Sequence, residues 1–157
     1  MLAFEGPSCS GKSTVMKELK IRHQDWVYVD GYDMSAIGLG ETWFESWQHE
    51  HRWKLPIYRD NPEVTFVVNR PFSEAIYAYT EERRYECRRM ASCYEGIAKV
   101  VYFDAPDSVL EDRGAADPLP RQTVRDRYDE LETVLPFERF NTARPIQSIA
   151  DDVEELG

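Results

Sequence analysis

Eight consecutive residues near the start of the chain, Gly6-Pro7-Ser8-Cys9-Ser10-Gly11-Lys12-Ser13, satisfy the spacing G-x-x-x-x-G-K-[ST]. Glycines at the two fixed positions let the backbone wrap so that successive N–H groups point inward at a phosphate. A helix opening at Lys12 adds its positive N-terminal end. In this arrangement Lys12 reaches the β- and γ-phosphates, and the Ser13 hydroxyl is a magnesium ligand. The motif therefore predicts binding of ATP with Mg2+ by Gly6, Ser8, Cys9, Ser10, Gly11, Lys12, Ser13 and Thr14. The other reading is a chance glycine turn; the strand before the loop and the helix after it speak against that. Cys9 reads as a small filler, with a redox switch as its alternative.

Phosphoryl transfer needs positive charge along the transferring group. Arg113 and Arg121 follow the fourth predicted strand, where a closing lid over about 112–122 would carry them, and Arg70 follows the third. Arg83, Arg84, Arg88 and Arg89 alternate with Glu81, Glu82 and Glu86, as ion pairs on a solvated helix face do; the alternative is a grip on the acceptor's phosphate. Trp43, Phe44, Trp47, Trp53 and Tyr58 crowd one segment, where they either stack on an acceptor's base or pack the core. His49 and His51 are two apart, the wrong spacing for a helical metal pair, and read as surface residues. Ser13 is the one metal ligand expected.

These side chains need a frame. Short apolar runs predict strands at Leu2–Glu5, Trp26–Val29, Val64–Val68 and Val100–Phe103, with a weak fifth around Arg139–Thr142. Helical patterns cover Lys12–Lys20, Glu41–Trp53, Ser73–Ile97, Asp107–Asp112, Arg121–Val134 and Gln147–Leu156. Strands alternating with helices mean a parallel sheet with helices on both faces. The expected fold is a P-loop three-layer α/β/α sandwich of about five strands, one domain over residues 1–157.

Phe4-Glu5-Gly6 through Ser13-Thr14 resembles the opening of thymidylate kinases and related nucleoside monophosphate kinases. Asn69-Arg70 is similar to their Asp-Arg motif, whose arginine helps hold acceptor and phosphates. Val100–Pro106 with Leu110, Asp112 and Arg113 resembles their fourth strand and the start of the arginine-bearing lid. Thr142-Ala143-Arg144-Pro145-Ile146 resembles the late loop that contacts adenine, which implies Ala143 and Arg144 as donor contacts. Two residues depart from the family: Ser8 stands where it usually has an acidic residue, and Asn69 replaces the Asp. A second resemblance, of Asp30-Gly31-Tyr32-Asp33 to the Asp-bearing loop of polynucleotide kinases, implies Asp33 as general base for a hydroxyl acceptor. Arg113, Pro120, Val124 and Tyr128 also look like the lid and following helix of that group. Asp33 also fits a turn or helix cap, and Asp30 fits ordinary strand-ending turn chemistry. The expected activity is thus a kinase acting on a nucleotide or nucleoside-like acceptor. A polynucleotide or modified base as hydroxyl acceptor, and a P-loop ATPase or regulatory switch, are the alternatives.

Composition bounds the rest. The formal net charge of −10 over 157 residues argues against non-specific nucleic-acid binding, though not against a local basic cleft or a nucleic acid as acceptor. Three cysteines without paired spacing predict no disulfide framework and fit a reducing cytoplasm. No apolar run approaches membrane-spanning length, and no signal peptide is expected. A homodimer is left open.

Overall fold

The computed structural model describes residues 1–30 and 43–157; Asp33 and its loop lie outside the described residues. Five strands form one parallel sheet: β1 (Leu2–Glu5), β2 (Val27–Val29), β3 (Phe66–Asn69), β4 (Lys99–Asp104) and β5 (Phe137–Asn141), in the order β2-β3-β1-β4-β5. The helices are α1 (Lys12–Arg22), α2 (Trp43–Asp60), α3 (Glu74–Tyr77), α4 (Glu81–Ser92), α5 (Asp107–Asp112), α6 (Arg121–Glu132) and α7 (Ile146–Glu154).

Alternation along the strands sends side chains to two cores. Leu2, Phe4, Val67, Val101 and Phe103 pack on α1 through Val15, Met16 and Leu19, and on α7 through Ile149, Ala150 and Val153. Ala3, Phe66, Val68, Val100 and Tyr102 pack on the opposite face against α2, α3, α4 and α6. With helices on both faces the inner strands are buried on both sides, so they read as unbroken apolar runs. This is the expected three-layer α/β/α sandwich. Because β1 lies between β3 and β4, the crevice beyond its carboxyl end is where such sheets bind ligands. The Gly6–Ser13 loop leaves β1 there, and Arg70 leaves β3 beside it.

Three elements differ from the sequence pattern. The helix expected over Ser73–Ile97 is broken: α3 ends at Ala78, and Thr80 caps α4 by accepting a hydrogen bond from the Arg83 N–H. The break comes at Thr80, whose backbone is extended and whose side-chain oxygen starts α4. Helix α2 continues past Trp53 to Asp60 with Pro56 inside it. Proline lacks the N–H for one helical bond, and the apolar contacts of Tyr58 with the sheet-facing core hold the last turn nonetheless. The weak fifth strand is a full edge strand paired to β4 over Phe137–Asn141. Among the described residues no helix is long and apolar enough to cross a membrane, and the three cysteines are free.

Candidate active site

The phosphate loop takes its shape from three left-handed residues. Gly6 has φ +136°, Cys9 +58° and Gly11 +98°, and Gly11 is the N-cap of α1. Such turns direct consecutive amides into one hollow. Lys12 and Ser13, as the first residues of α1, have N–H groups with no acceptor inside the helix. The hollow opens into a cavity of about 690 Å³ lined by residues 8–14, Asn69, Arg70, Arg113 and Ile146.

Lys12 is buried and folded back along its own loop, donating to the carbonyls of Gly6 and Pro7 at 2.7 Å each and to Ser10 Oγ at 3.0 Å. Burial pulls its pKa down to about 8, with the Glu5 carboxylate opposing that shift. Glu5, the last residue of β1, is fully buried. It accepts hydrogen bonds from the Phe72 N–H at 2.7 Å and the Tyr128 hydroxyl at 3.0 Å, tying the base of the loop to the segment before α3 and to α6. Burial pushes its pKa up to about 7 from 4.5, against the pull of those two hydrogen bonds, Lys12 and Arg70. A raised folded-state pKa means the native state holds this proton more tightly than the unfolded chain. Glu5 therefore costs stability increasingly as pH rises from 4.5 through about 7. Glu5→Gln should melt above the wild type near pH 8, by up to about 3 kcal/mol, and the gap should close toward pH 4.5. A gap that does not change with pH in thermal melts would refute this.

Arg70 also has a left-handed backbone, φ +56°, held by its N–H donating to the Phe4 carbonyl at 2.8 Å. Its exposed guanidinium has no hydrogen-bond or ion-pair partner among the described residues and lines the cleft. Arg113 crosses the other side of the loop. It donates to the Cys9 carbonyl at 3.4 Å, to Thr142 Oγ1 at 3.1 Å and to the Thr142 carbonyl at 2.6 Å. Lys12, Arg70 and Arg113 are thus brought to one cleft. Arg121 is not: it pairs with Asp107 at 3.2 Å and Glu111 at 3.5 Å on α5 and lines none of the cavities around the loop. Ala143 and Arg144 are exposed on the loop after β5. The Ala143 N–H donates to the Asn141 side chain, and Arg144 pairs with Asp152 on α7.

The α4 arginines are taken up in ion pairs, Arg84 and Arg88 with Glu81, Arg88 also with Glu130, and Arg89 with Glu86. Of the aromatic segment, Trp47 and Tyr58 are core residues and Trp53 is exposed; the side chains of Trp43 and Phe44 lie outside the described part. His51 corrects the surface reading. It is buried, its two ring nitrogens within 2.6 Å of the Tyr94 hydroxyl and 2.8 Å of the Pro71 carbonyl. Burial pulls its pKa down to about 4, which keeps the ring neutral. The two histidines fall on different faces of α2 because two residues turn a helix by more than half a circle; His49 is exposed.

Asp117, which the sequence did not single out, and Asn69, read there only as a departure from the Asp-Arg motif, line the cavities at the loop. Asp117, in the loop between α5 and α6, accepts from the Ser8 N–H, with both carboxylate oxygens at 3.2 Å, and from the Tyr77 hydroxyl at 2.8 Å. Asn69 at the end of β3 is buried, and its Oδ1 has no partner among the described residues.

The sheet order, the loop between β1 and α1 and the cations around it define a P-loop α/β/α sandwich. No family model and no curated protein matches the chain. Among solved structures it is similar to the YorR protein of Bacillus subtilis in complex with phosphorylated GDP, at 22% identity over 99% of this chain and 94% of that one, TM-score 0.65. It is also similar to deoxyadenosine kinase from M. mycoides with dCMP and dCDP bound, at 12% identity over 99% and 97%, TM-score 0.52. A third likeness is to shikimate kinase from Acinetobacter baumannii in complex with shikimate, at 18% identity over 99% and 90%, TM-score 0.53. At these identities the likeness is one of fold.

Proposed function

We propose that this chain is an ATP-dependent kinase that transfers the γ-phosphoryl group to a nucleotide or nucleoside-like acceptor. The observation that carries the reading is the convergence of Lys12, Arg70 and Arg113 on one cavity at the mouth of the phosphate loop. Charge in a phosphoryl-transfer transition state spreads over the equatorial oxygens, and fixed cations around it supply the stabilisation. Lys12 exchanges its loop carbonyls for phosphate oxygens. Arg70, with no partner among the described residues, meets the transferring group from the β3 side. Arg113 closes the donor side next to the loop that carries Ala143 and Arg144. A plain ATPase needs no Arg70 aimed at a second cavity, and Arg70 lines one beside Tyr77 as well.

The ligands bound in two of these structures, a phosphorylated guanine nucleotide and deoxycytidine nucleotides, favour a nucleotide acceptor. Shikimate shows that the same fold also holds a hydroxyl-bearing acid. The test is incubation with labelled ATP and a panel of nucleosides, nucleoside monophosphates and DNA ends. Label on a nucleotide supports the reading, label on DNA shifts it to the polynucleotide alternative, and release of free phosphate alone sinks it.

The residues present fit a magnesium ion that arrives with the triphosphate. Ser13 offers an exposed hydroxyl, and Asn69, whose buried Oδ1 has no partner among the described residues, lines the same cleft. Among the described residues no group of three or more His, Cys, Asp or Glu could hold a metal ion; magnesium in such kinases is held mainly through substrate phosphates. Bound there, magnesium neutralises charge on the β- and γ-phosphates. Asn69 is a neutral acceptor where a carboxylate would bind more tightly. Asn69→Asp should lower the magnesium concentration needed for half-maximal ATP binding, on the order of tenfold. An unchanged magnesium titration would remove Asn69 from the site.

A further inference from the structure

Beside the phosphate loop lies a second cavity of about 250 Å³, lined by Gly6, Ser8, Lys12, Arg70, Tyr77 and residues 116–118, without Arg113. It shares Ser8, Lys12 and Arg70 with the larger cleft, so a ligand here adjoins a phosphate held by the loop. Two cations face it from the loop and from the end of β3, and one carboxylate, Asp117, faces it from the loop after α5.

That carboxylate is held by elements distant in sequence. The Ser8 N–H and the Tyr77 hydroxyl both donate to it, the latter to Oδ1. A carboxylate has about four acceptor sites, and these two donors leave sites open, above all on Oδ2. Tyr77 spends its one proton on Asp117, so its oxygen can only accept from anything else. Burial and the neighbouring carboxylate raise the tyrosine's pKa, which keeps that proton in place. The Asp117–Tyr77 wall is therefore an acceptor-only surface. It repels phosphate and requires a ligand group that donates, whereas Lys12 and Arg70 require one that is negative.

We infer that Asp117, oriented by Tyr77 and the Ser8 N–H, is a specificity-determining residue that selects acceptors carrying a sugar hydroxyl at this wall, beside the anionic group held by Arg70. This rests on the kinase reading of the cleft. It narrows the acceptor to a hydroxyl-bearing sugar phosphate such as a deoxynucleoside monophosphate.

The experiment compares deoxynucleoside monophosphates with their 2′,3′-dideoxy counterparts as acceptors, with ATP·Mg binding measured in parallel by calorimetry. The wild type should favour the hydroxyl-bearing member by roughly a hundredfold in kcat/KM, because the dideoxy compound leaves the carboxylate without its donor. Asp117→Asn should bring the two within about threefold, mainly by raising KM for the hydroxyl-bearing acceptor, while ATP·Mg still binds. Tyr77→Phe, which keeps the ring and frees the carboxylate, should lose about tenfold of the discrimination. Discrimination retained in both variants overturns the assignment and leaves the kinase reading intact. So does a wild type that binds ATP·Mg but neither binds nor phosphorylates any deoxynucleoside monophosphate. A wild type that does not bind ATP·Mg brings down both.

Discussion

Lys12→Ala should lower turnover on the order of 10²–10³-fold, about 3–4 kcal/mol of transition-state stabilisation, while the protein stays folded. The ammonium is buried, and the depression of its pKa to about 8 shows that the fold gains little from its charge. Its three hydrogen bonds all go to its own loop, to Gly6, Pro7 and Ser10, so no distant element loses an anchor. The loss should therefore fall on phosphate chemistry rather than stability. Melting temperature and steady-state rates, measured on one preparation, separate the two. A mutant that turns over within a few-fold of the wild type would end the phosphate-loop assignment. One that fails to fold would show that the lysine holds the loop together.

Gly6→Ala should be the most damaging substitution in the loop to stability and binding together. A methyl group at this position would lie 2.0 Å from the Phe103 carbonyl oxygen and 3.0 Å from its carbon, both backbone atoms of β4, the strand next to β1. The φ of +136° is also a conformation that alanine resists. Relief requires the loop to leave β4, which carries Lys12 and the amides of residues 8–13 out of register. The expected cost is about 3 kcal/mol or more, a fall in melting temperature on the order of 10 °C for a chain of this size. Gly11→Ala is the internal control. Its φ is +98°, but the nearest atom to the added methyl is 3.6 Å away on Thr142. Conformational strain alone, about 1–2 kcal/mol, should remain there. Thermal melts with and without ATP·Mg decide the matter. A Gly6→Ala protein that melts within about 2 °C of Gly11→Ala and is still protected by nucleotide would contradict the close approach of loop and strand.

Much of the fold was legible because its signals are local. Apolar runs of four or five residues and 3.6-residue patterns are read within one element, and the loop's glycines answer a steric demand made by its own backbone. The errors came where a neighbour decides. Ser73–Ile97 reads as one helix until Thr80 turns to cap the second half. His51 reads as surface until α2 lays it between Tyr94 and Pro71. Arg121 and Arg113 are alike in the sequence, each an arginine within the expected lid. One extends along α5 to Asp107 and Glu111, and the other crosses to Thr142 and the phosphate loop.

By itself, then, the sequence determined the loop after the first strand that we propose holds a phosphate. That loop is eight contiguous residues whose conformation depends on which of them lack a Cβ. Only the tertiary structure decided what surrounds the loop. Ser8 and Asp117 are 109 residues apart, and Glu5 and Tyr128 are 123 apart. They meet because β1 inserts between β3 and β4, so that the turns after all three strands open on one edge. Strand order follows from which apolar faces bury each other best across the whole sheet. No local pattern of residues encodes that sum.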